Sequence, residues 1–421
     1  MTTAPAHLPA THPPCRNCQA PVSRTVVDLG MSPLCETFLL PEELNRMEPF
    51  YPLHVRVCDR CHLVQLEEYV SGEEIFGGEY AYFSSYSHSW VAHAKRYADD
   101  RIAAMGLGPD SLVVEVASND GYLLQHFVAA GIPVLGIEPA ENVAEAARAR
   151  GVRTENAFFG RETAERLRAA GHRPDLMAAN NVLAHVPDIS DFVAGFAVLL
   201  ADHGVVTFEF PHLMRLIEGV QYDTIYHEHF SYLSLLAVRS VLAAHGLEVV
   251  DVEELTTHGG SLRVHAAHEG AHTPSPRVAE MVARELEAGY DTPAPYERFA
   301  ATVEAGKRAL LRYLIDARDR GLHIAAYGAP GKGNTLLNYC GIRTDLVDYA
   351  VDRNPYKHGR FTPGTHIPIH PPERLAETRP DVILILPWNL RDEIAGQLAY
   401  TAEWGARLIV PVPVVQEVTR P

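Results

Sequence analysis

The stretch Asp223-Thr224-Ile225-Tyr226-His227-Glu228-His229-Phe230-Ser231-Tyr232 sets two histidines, a glutamate and two tyrosines within ten positions. These side chains suit removal of a proton next to a carbonyl. An imidazole is the usual base near neutral pH, a carboxylate can orient it, and a phenol can stabilise an enolate oxygen. Two other readings stand beside this one. His-x-His with a glutamate can ligate a metal, although this is not H-E-x-x-H on a helix, and the histidines can be satisfied structural residues. A second concentration of functional groups, GGEYAYFSSYSHSW, runs from Gly77 to Trp90. Tyr80, Ser84, Ser85 and Tyr86 supply hydroxyls and aromatic faces at a density that suits a sugar or nucleotide. The same residues can also be a packed lead into a helix, with Ser84 or Ser85 as its N-cap.

The cysteines carry a different chemistry. Cys15-Arg16-Asn17-Cys18 and Cys58-Asp59-Arg60-Cys61 are two C-x-x-C knuckles, separated by more chain than a zinc ribbon usually has. Four thiolates from two knuckles make a closed tetrahedral zinc site with no position open to substrate, so the metal is read as structural. A domain of about 60 residues has little core and gains from such a staple. Disulfide pairing is the alternative. Cys35 and Cys340 are read as free thiols, and His62 is redundant beside four cysteines.

The elements that must hold these groups alternate strand and helix. Leu112–Val116 is an apolar strand, Ala117-Ser118-Asn119-Asp120-Gly121 a turn of small residues, and Tyr122–Ala130 a helix. Val134–Ile137 is a second strand that ends on Glu138, about 20 residues on, where an acidic group can hold ribose hydroxyls. The turn lacks G-x-G-x-x-G, so an adenosine ligand with an amino-acid tail suits it better than a dinucleotide; a crossover with no ligand is the alternative. Glu115, Ser118, Asn119, Asp120, Gly121, Glu138 and the strand-end pair Asn180-Asn181 are the candidate cofactor residues. A strand at Val205–Phe210 precedes the 223–232 stretch and a helix at Tyr232–His245 follows it, which puts that stretch on the carboxyl edge of the sheet, where ligands bind. Strands at Leu247–Leu255 and Ser261–Ala267 are joined by a turn too short for a parallel crossover.

A helical connector spans Pro274–Arg320, broken at Tyr290–Pro295, and a second α/β unit follows. Its Gly328–Gly333 turn, GAPGKG, opens a helix whose N-terminus with Lys332 can hold a diphosphate. A domain that kept its fold without a ligand is the other reading. The chain has 421 residues, enough for two or three domains, and a net charge of -17 from 36 Lys+Arg against 53 Asp+Glu. That balance argues against a nucleic-acid partner. No apolar run is long enough to span a membrane and no signal peptide is evident, so a cytoplasmic setting with reduced cysteines is expected.

Taken together, the parallel run closed by one antiparallel strand resembles a class I S-adenosylmethionine-dependent methyltransferase over roughly Ser84–His268. The two knuckles, YFSSYSHSW, SNDGYLL, NNVLAHV, DTIYHEHFSY and GAPGKGNTLLNYC together resemble a narrower family. This family is the dTDP-sugar C-3′-methyltransferases of antibiotic deoxysugar biosynthesis, of the tetronitrose and mycarose type. The resemblance implies a zinc-binding domain at 1–75, a methyltransferase domain at 76–270, and a connector plus C-terminal Rossmann-like domain at 271–421, in a monomer. It implies S-adenosylmethionine and structural Zn²⁺ as cofactors and a dTDP-linked 4-keto-deoxysugar as substrate, and it places Tyr80, His185, Tyr226, Glu228 and His229 in the active site. His229 would remove the C-3′ proton with Glu228 as orienter, while Tyr226 and His185 hold the enolate oxygen; Tyr226 is the alternative proton acceptor. Tyr80, Ser84, Ser85, Tyr86 and Lys332 would bind substrate. An epimerase or isomerase on the same ketosugar, with NAD in the C-terminal unit, and a non-catalytic zinc-bearing interaction protein are the competing functions.

Overall fold

The computed structural model describes residues 12–70 and 83–420. The chain divides into two compact units, each assembled from separated stretches.

The first unit draws on Met1–Arg24, Val57–Leu213 and Glu228–Asp291. Its centre is a sheet of β1 (Val113–Val116), β2 (Val134–Ile137), β3 (Thr154–Glu155), β4 (Leu176–Asn180), β5 (Val205–Pro211), β6 (Leu247–Leu255) and β7 (Ser261–His268). The spatial order is β6-β7-β5-β4-β1-β2-β3. Strands β1 to β5 are parallel, and β7 is antiparallel to both β5 and β6. This is the order that the class I methyltransferase resemblance implies. Every residue of β1 and β2 is buried, as expected where helices cover both faces of a parallel sheet. On one side Phe196, Phe208 and Leu235 share a core that extends to the knuckle cysteines, and on the other Tyr97, Leu124 and Phe127 pack together. The order reverses between β1 and β4, which opens a crevice at their carboxyl ends.

Three local expectations shift. Helix α1 (His88–Met105) is capped by Ser87, whose hydroxyl accepts the Trp90 N–H at 3.3 Å; Ser84–Tyr86 forms its own 3-10 turn instead. Helix α2 (Leu124–Ala129) starts two residues later than the apolar pattern suggests, after a turn that buries Tyr122 and Leu123. Ser231–Tyr232 is not helical but a short strand antiparallel to Val64–Gln65. The following helix runs over Leu235–Ala243 with Ser234 as its cap. Long-range strand pairing overrides local helix preference there.

The second unit draws on Thr25–Arg56, Met214–His227 and Thr292–Pro421. Its sheet holds β8 (Ile324–Tyr327), β9 (Tyr349–Val351), β10 (Ile369–His370), β11 (Val382–Ile385), β12 (Arg407–Val410) and β13 (Gln416–Glu417) in the order β10-β9-β8-β11-β12-β13. All neighbours are parallel except the last pair. The connector is two helices, Pro276–Glu287 and Ala294–Asp319, and the expected break separates them. The paired strands Arg24–Ser32 and Tyr51–Val57 lie outside the elements expected from the sequence. Among the described residues no helix is long and apolar enough to cross a membrane.

Candidate active site

The turn after β1 is set by backbone conformations that few side chains favour. Ala117, Asn119 and Gly121 take φ of 55°, 49° and 78°, and two of these are non-glycine residues in the left-handed region, a mark of functional sites. At Gly121 a Cβ would lie 2.9 Å from a Val152 methyl, so glycine is required there. At Gly136 on β2 a Cβ would lie 2.5 Å from the Ser118 hydroxyl oxygen, so the bare strand lets the turn close in. Glu138 fixes the turn from the end of β2: one carboxylate oxygen accepts the Asn119 N–H and the other the Ala140 N–H, each at 2.9 Å. Burial pushes the Glu138 pKa up, against those two donors.

The groups around this turn are acceptors in want of donors. Ser118 Oγ, Asp120 Oδ1, Asn180 Oδ1 and Asn181 Oδ1 are buried without a hydrogen-bond partner. Buried polar atoms need partners, so such a concentration points to a ligand rich in donors. Burial drives the Glu115 carboxyl well above its ordinary value, opposed by the Tyr122 hydroxyl and reinforced by Glu138 and Asp120. S-adenosylmethionine fits this set, since its ammonium, ribose hydroxyls and adenine amine are all donors and its sulfonium is a cation. Glu115, Ser118, Asn119, Asp120, Gly121, Glu138, Asn180 and Asn181 all stand at the carboxyl ends of β1, β2 and β4.

Ser84 and Ser85 dock on the same turn. The Ser84 N–H donates to Asn119 Oδ1 at 2.8 Å, and the Ser85 hydroxyl donates to Asp120. Arg150 closes the latch, with Nη1 2.9 Å from Asp120 Oδ2 and Nη2 2.6 Å from the Ser85 hydroxyl. Tyr86 is 77% exposed and stacks on Phe83. Tyr80 lies outside the described residues.

The candidate acid–base groups come from the segments after β4 and before Leu235. Leu183–His185 forms a 3-10 turn, and the Phe230 N–H donates to the Ala184 carbonyl at 2.8 Å. That bond brings the His185 and His229 rings together edge to face, 4.6 Å between centroids, with Tyr232 6.3 Å beyond His229. Burial pushes His185 down to about 4, partly offset by a hydrogen bond with the Glu228 backbone. Tyr226 and Lys332 belong to the other unit. There Lys332 Nζ lies 4.3 Å from the Trp388 ring centroid and donates to Asn389, while Glu36 takes the Gly331 N–H at the helix N-terminus.

Several residues escaped sequence reasoning. Trp90 stacks on Tyr122 and His93 and meets His258 edge-on. Glu209 on β5 accepts from His93 at 2.9 Å, Arg263 at 2.6 Å and Thr257 at 3.0 Å. Burial alone would raise its pKa, but His93 and Arg263 bring it below the ordinary value. His258 carried a signal: it precedes Gly259-Gly260 in the hairpin feeding β7, and a strand antiparallel to β5 begins at the carboxyl edge. Arg150 and Glu209 carried none, because their partners are distant in sequence.

The four knuckle cysteines hold their Sγ atoms within 4.8 Å of one another, with Cys15 and Cys61 at 3.4 Å and Cys18 and Cys58 at 3.5 Å, and all are free thiols. Zn–S bonds of about 2.3 Å in a tetrahedron put sulfurs about 3.8 Å apart, so the cluster fits one Zn²⁺. Gln19 and His62, each directly after a second cysteine, take φ of 58° and 60°, so the two knuckles share one backbone geometry.

Three domain families match the chain in succession. They are a zinc binding domain over 15–76, a methyltransferase domain over 90–252 and the C-methyltransferase C-terminal domain over 256–413. The C-methyltransferase NovU of Streptomyces niveus is 37% identical over 400 residues, 95% of each chain. Among solved structures, magnesium protoporphyrin IX methyltransferase of Synechocystis PCC 6803 with bound SAM aligns over 47% of this chain and 89% of its own, at 18% identity and a TM-score of 0.33. A SAM-dependent methyltransferase of Thermotoga maritima aligns over 44% and 94%, at 19% identity and a TM-score of 0.33.

Proposed function

The chain belongs to the C-methyltransferase family, and from that footing we propose that it methylates C-3′ of a dTDP-linked 4-keto-deoxysugar. The ketone acidifies the neighbouring C-3′ proton. His229 takes that proton, with Glu228 orienting the ring, and Tyr226 steadies the enolate oxygen; Tyr226 is the alternative acceptor. His185 supports His229 from the side and stays uncharged at neutral pH, because burial holds its pKa near 4. S-adenosylmethionine supplies an already activated methyl group when bound. The chain contributes alignment and the base. Near-attack geometry is worth roughly 7–11 kcal/mol and base catalysis about 10²–10⁴-fold.

The observation that carries this reading is that one segment serves both partners. Asn180 and Asn181, with unpartnered oxygens, lie just before the turn that holds His185 against His229. Ser84 and Ser85 contribute through the cofactor turn, which places them between donor and sugar in this account. A cytoplasmic setting belongs to the same reading, because cysteines that are to hold zinc must stay reduced. The test is incubation with methyl-labelled S-adenosylmethionine and a panel of dTDP-4-keto-deoxysugars. Label on C-3′ supports the proposal. Label on oxygen or nitrogen, or sugar isomerisation without the methyl donor, rejects it.

A further inference from the structure

We propose that Arg16, the residue after the first knuckle cysteine, is a positioning residue that ties the metal centre to the loop carrying His229. The inference rests on the reading of 228–232 as the active-site loop. The Arg16 guanidinium forks between two carbonyls: Nη1 donates to Pro187 and Nη2 to Leu66, each at 2.7 Å. Its carbon lies 5.1 Å from the centroid of the Phe230 ring. Each partner borders the catalytic pair. Pro187 follows His185 by two residues, and Phe230 adjoins His229. Leu66 directly follows the strand Val64–Gln65 that pairs with Ser231–Tyr232, and its N–H donates to the Phe230 carbonyl at 3.0 Å.

The other end of Arg16 is fixed by the knuckle. The Gln19 N–H donates to the Cys15 carbonyl at 3.0 Å, the Cys15 N–H to the Ala20 carbonyl at 2.8 Å, and the Arg16 N–H to Gln65 Oε1 at 3.0 Å. A metal holding Cys15 and Cys18 therefore immobilises the backbone from which Arg16 extends. The zinc knuckle then does more than stabilise a small domain: through one side chain it sets where the loop after Glu228 sits. Lysine cannot replace this arginine, because a single ammonium lacks the planar fork that serves two separate carbonyls. Truncation would leave both part-buried carbonyls without this donor, and the segments they belong to would move apart.

The test uses Arg16→Ala and Arg16→Lys in the full chain. Elemental analysis should still find one zinc per chain, and calorimetry an unchanged S-adenosylmethionine affinity. Amide exchange over 228–232 should quicken by about tenfold or more, with the β1–β5 core unaffected. Methyl transfer should slow by about 10–100-fold at unchanged KM for the methyl donor, the cost of a small misplacement of the base. Should Arg16→Ala shed its metal, Arg16→Lys carries the test. Unchanged exchange over 228–232 in a metal-loaded variant, or wild-type behaviour of Arg16→Lys, overturns the proposal. The exchange arm needs no sugar, so a loosened loop in a protein that transfers no methyl upholds the clamp while rejecting the C-3′ reading.

Discussion

His185 and His229 pack edge to face, 4.6 Å between ring centroids, because the Phe230 N–H is bonded to the Ala184 carbonyl between them. Their roles separate by environment. An imidazole whose pKa is held near 4 cannot keep an abstracted proton at neutral pH. In the proposed reaction His185 is thus the fixed, uncharged neighbour, and the proposed proton acceptor is His229, with Tyr226 as the alternative.

The same depression makes stability depend on pH. The unfolded imidazole titrates at its ordinary 6.5, the folded one at about 4, so between those values the unfolded chain binds the extra proton. Stability from this group is complete above 6.5 and falls as pH drops toward about 4. The urea midpoint of wild type should decline across that window, and His185→Gln should flatten the decline. An equal slope in the variant would show that other groups produce it.

Glu138→Ala should weaken S-adenosylmethionine binding by about tenfold or more, because it removes the acceptor of the Asn119 and Ala140 N–H groups and the candidate ribose contact together. Calorimetry measures this, and unchanged affinity would place the ribose elsewhere.

Stripping zinc with a chelator should lower the melting temperature and release one equivalent of metal per chain. The Cys15, Cys58 and Cys61 side chains are part of the core shared with Leu63 and Leu233, so the damage should spread beyond the knuckles. Elemental analysis finding no zinc in purified protein would refute the metal reading.

Glu209→Ala should destabilise the fold by about 3 kcal/mol, the lower end for breaking a buried ion pair. Arg263 keeps Glu253 at 3.1 Å as a second partner, which sets the loss at that end. Chemical denaturation of the variant against wild type decides it.

Much of this was legible because it is local. The strand–turn–helix around Asn119, the acidic end of β2, the hairpin between β6 and β7 and the two C-x-x-C knuckles are each written in contiguous residues. What escaped has its partners far away. Arg24–Ser32 bears no clear alternation; Tyr51–Val57 does alternate, with Leu53, Val55 and Val57 buried, but both join a unit whose remainder begins beyond residue 213. Ser84 and Ser85 read as sugar ligands or helix caps, whereas their donors go to Asn119 and Asp120. Arg16 stands between the first two cysteines with no partner near it in sequence, and only the folded chain brings Pro187 and Leu66 to it.

The most direct measurement is exchange of the C-3′ proton of a dTDP-4-keto-deoxysugar in D₂O, followed by NMR for wild type and His229→Asn. The account predicts wash-out by wild type, a loss of about 10²-fold or more in the variant, and S-adenosylmethionine binding unchanged in both. Wash-out at the wild-type rate in His229→Asn would remove His229 as the base, and no wash-out by wild type even during methyl transfer to another position would contradict deprotonation at C-3′ altogether.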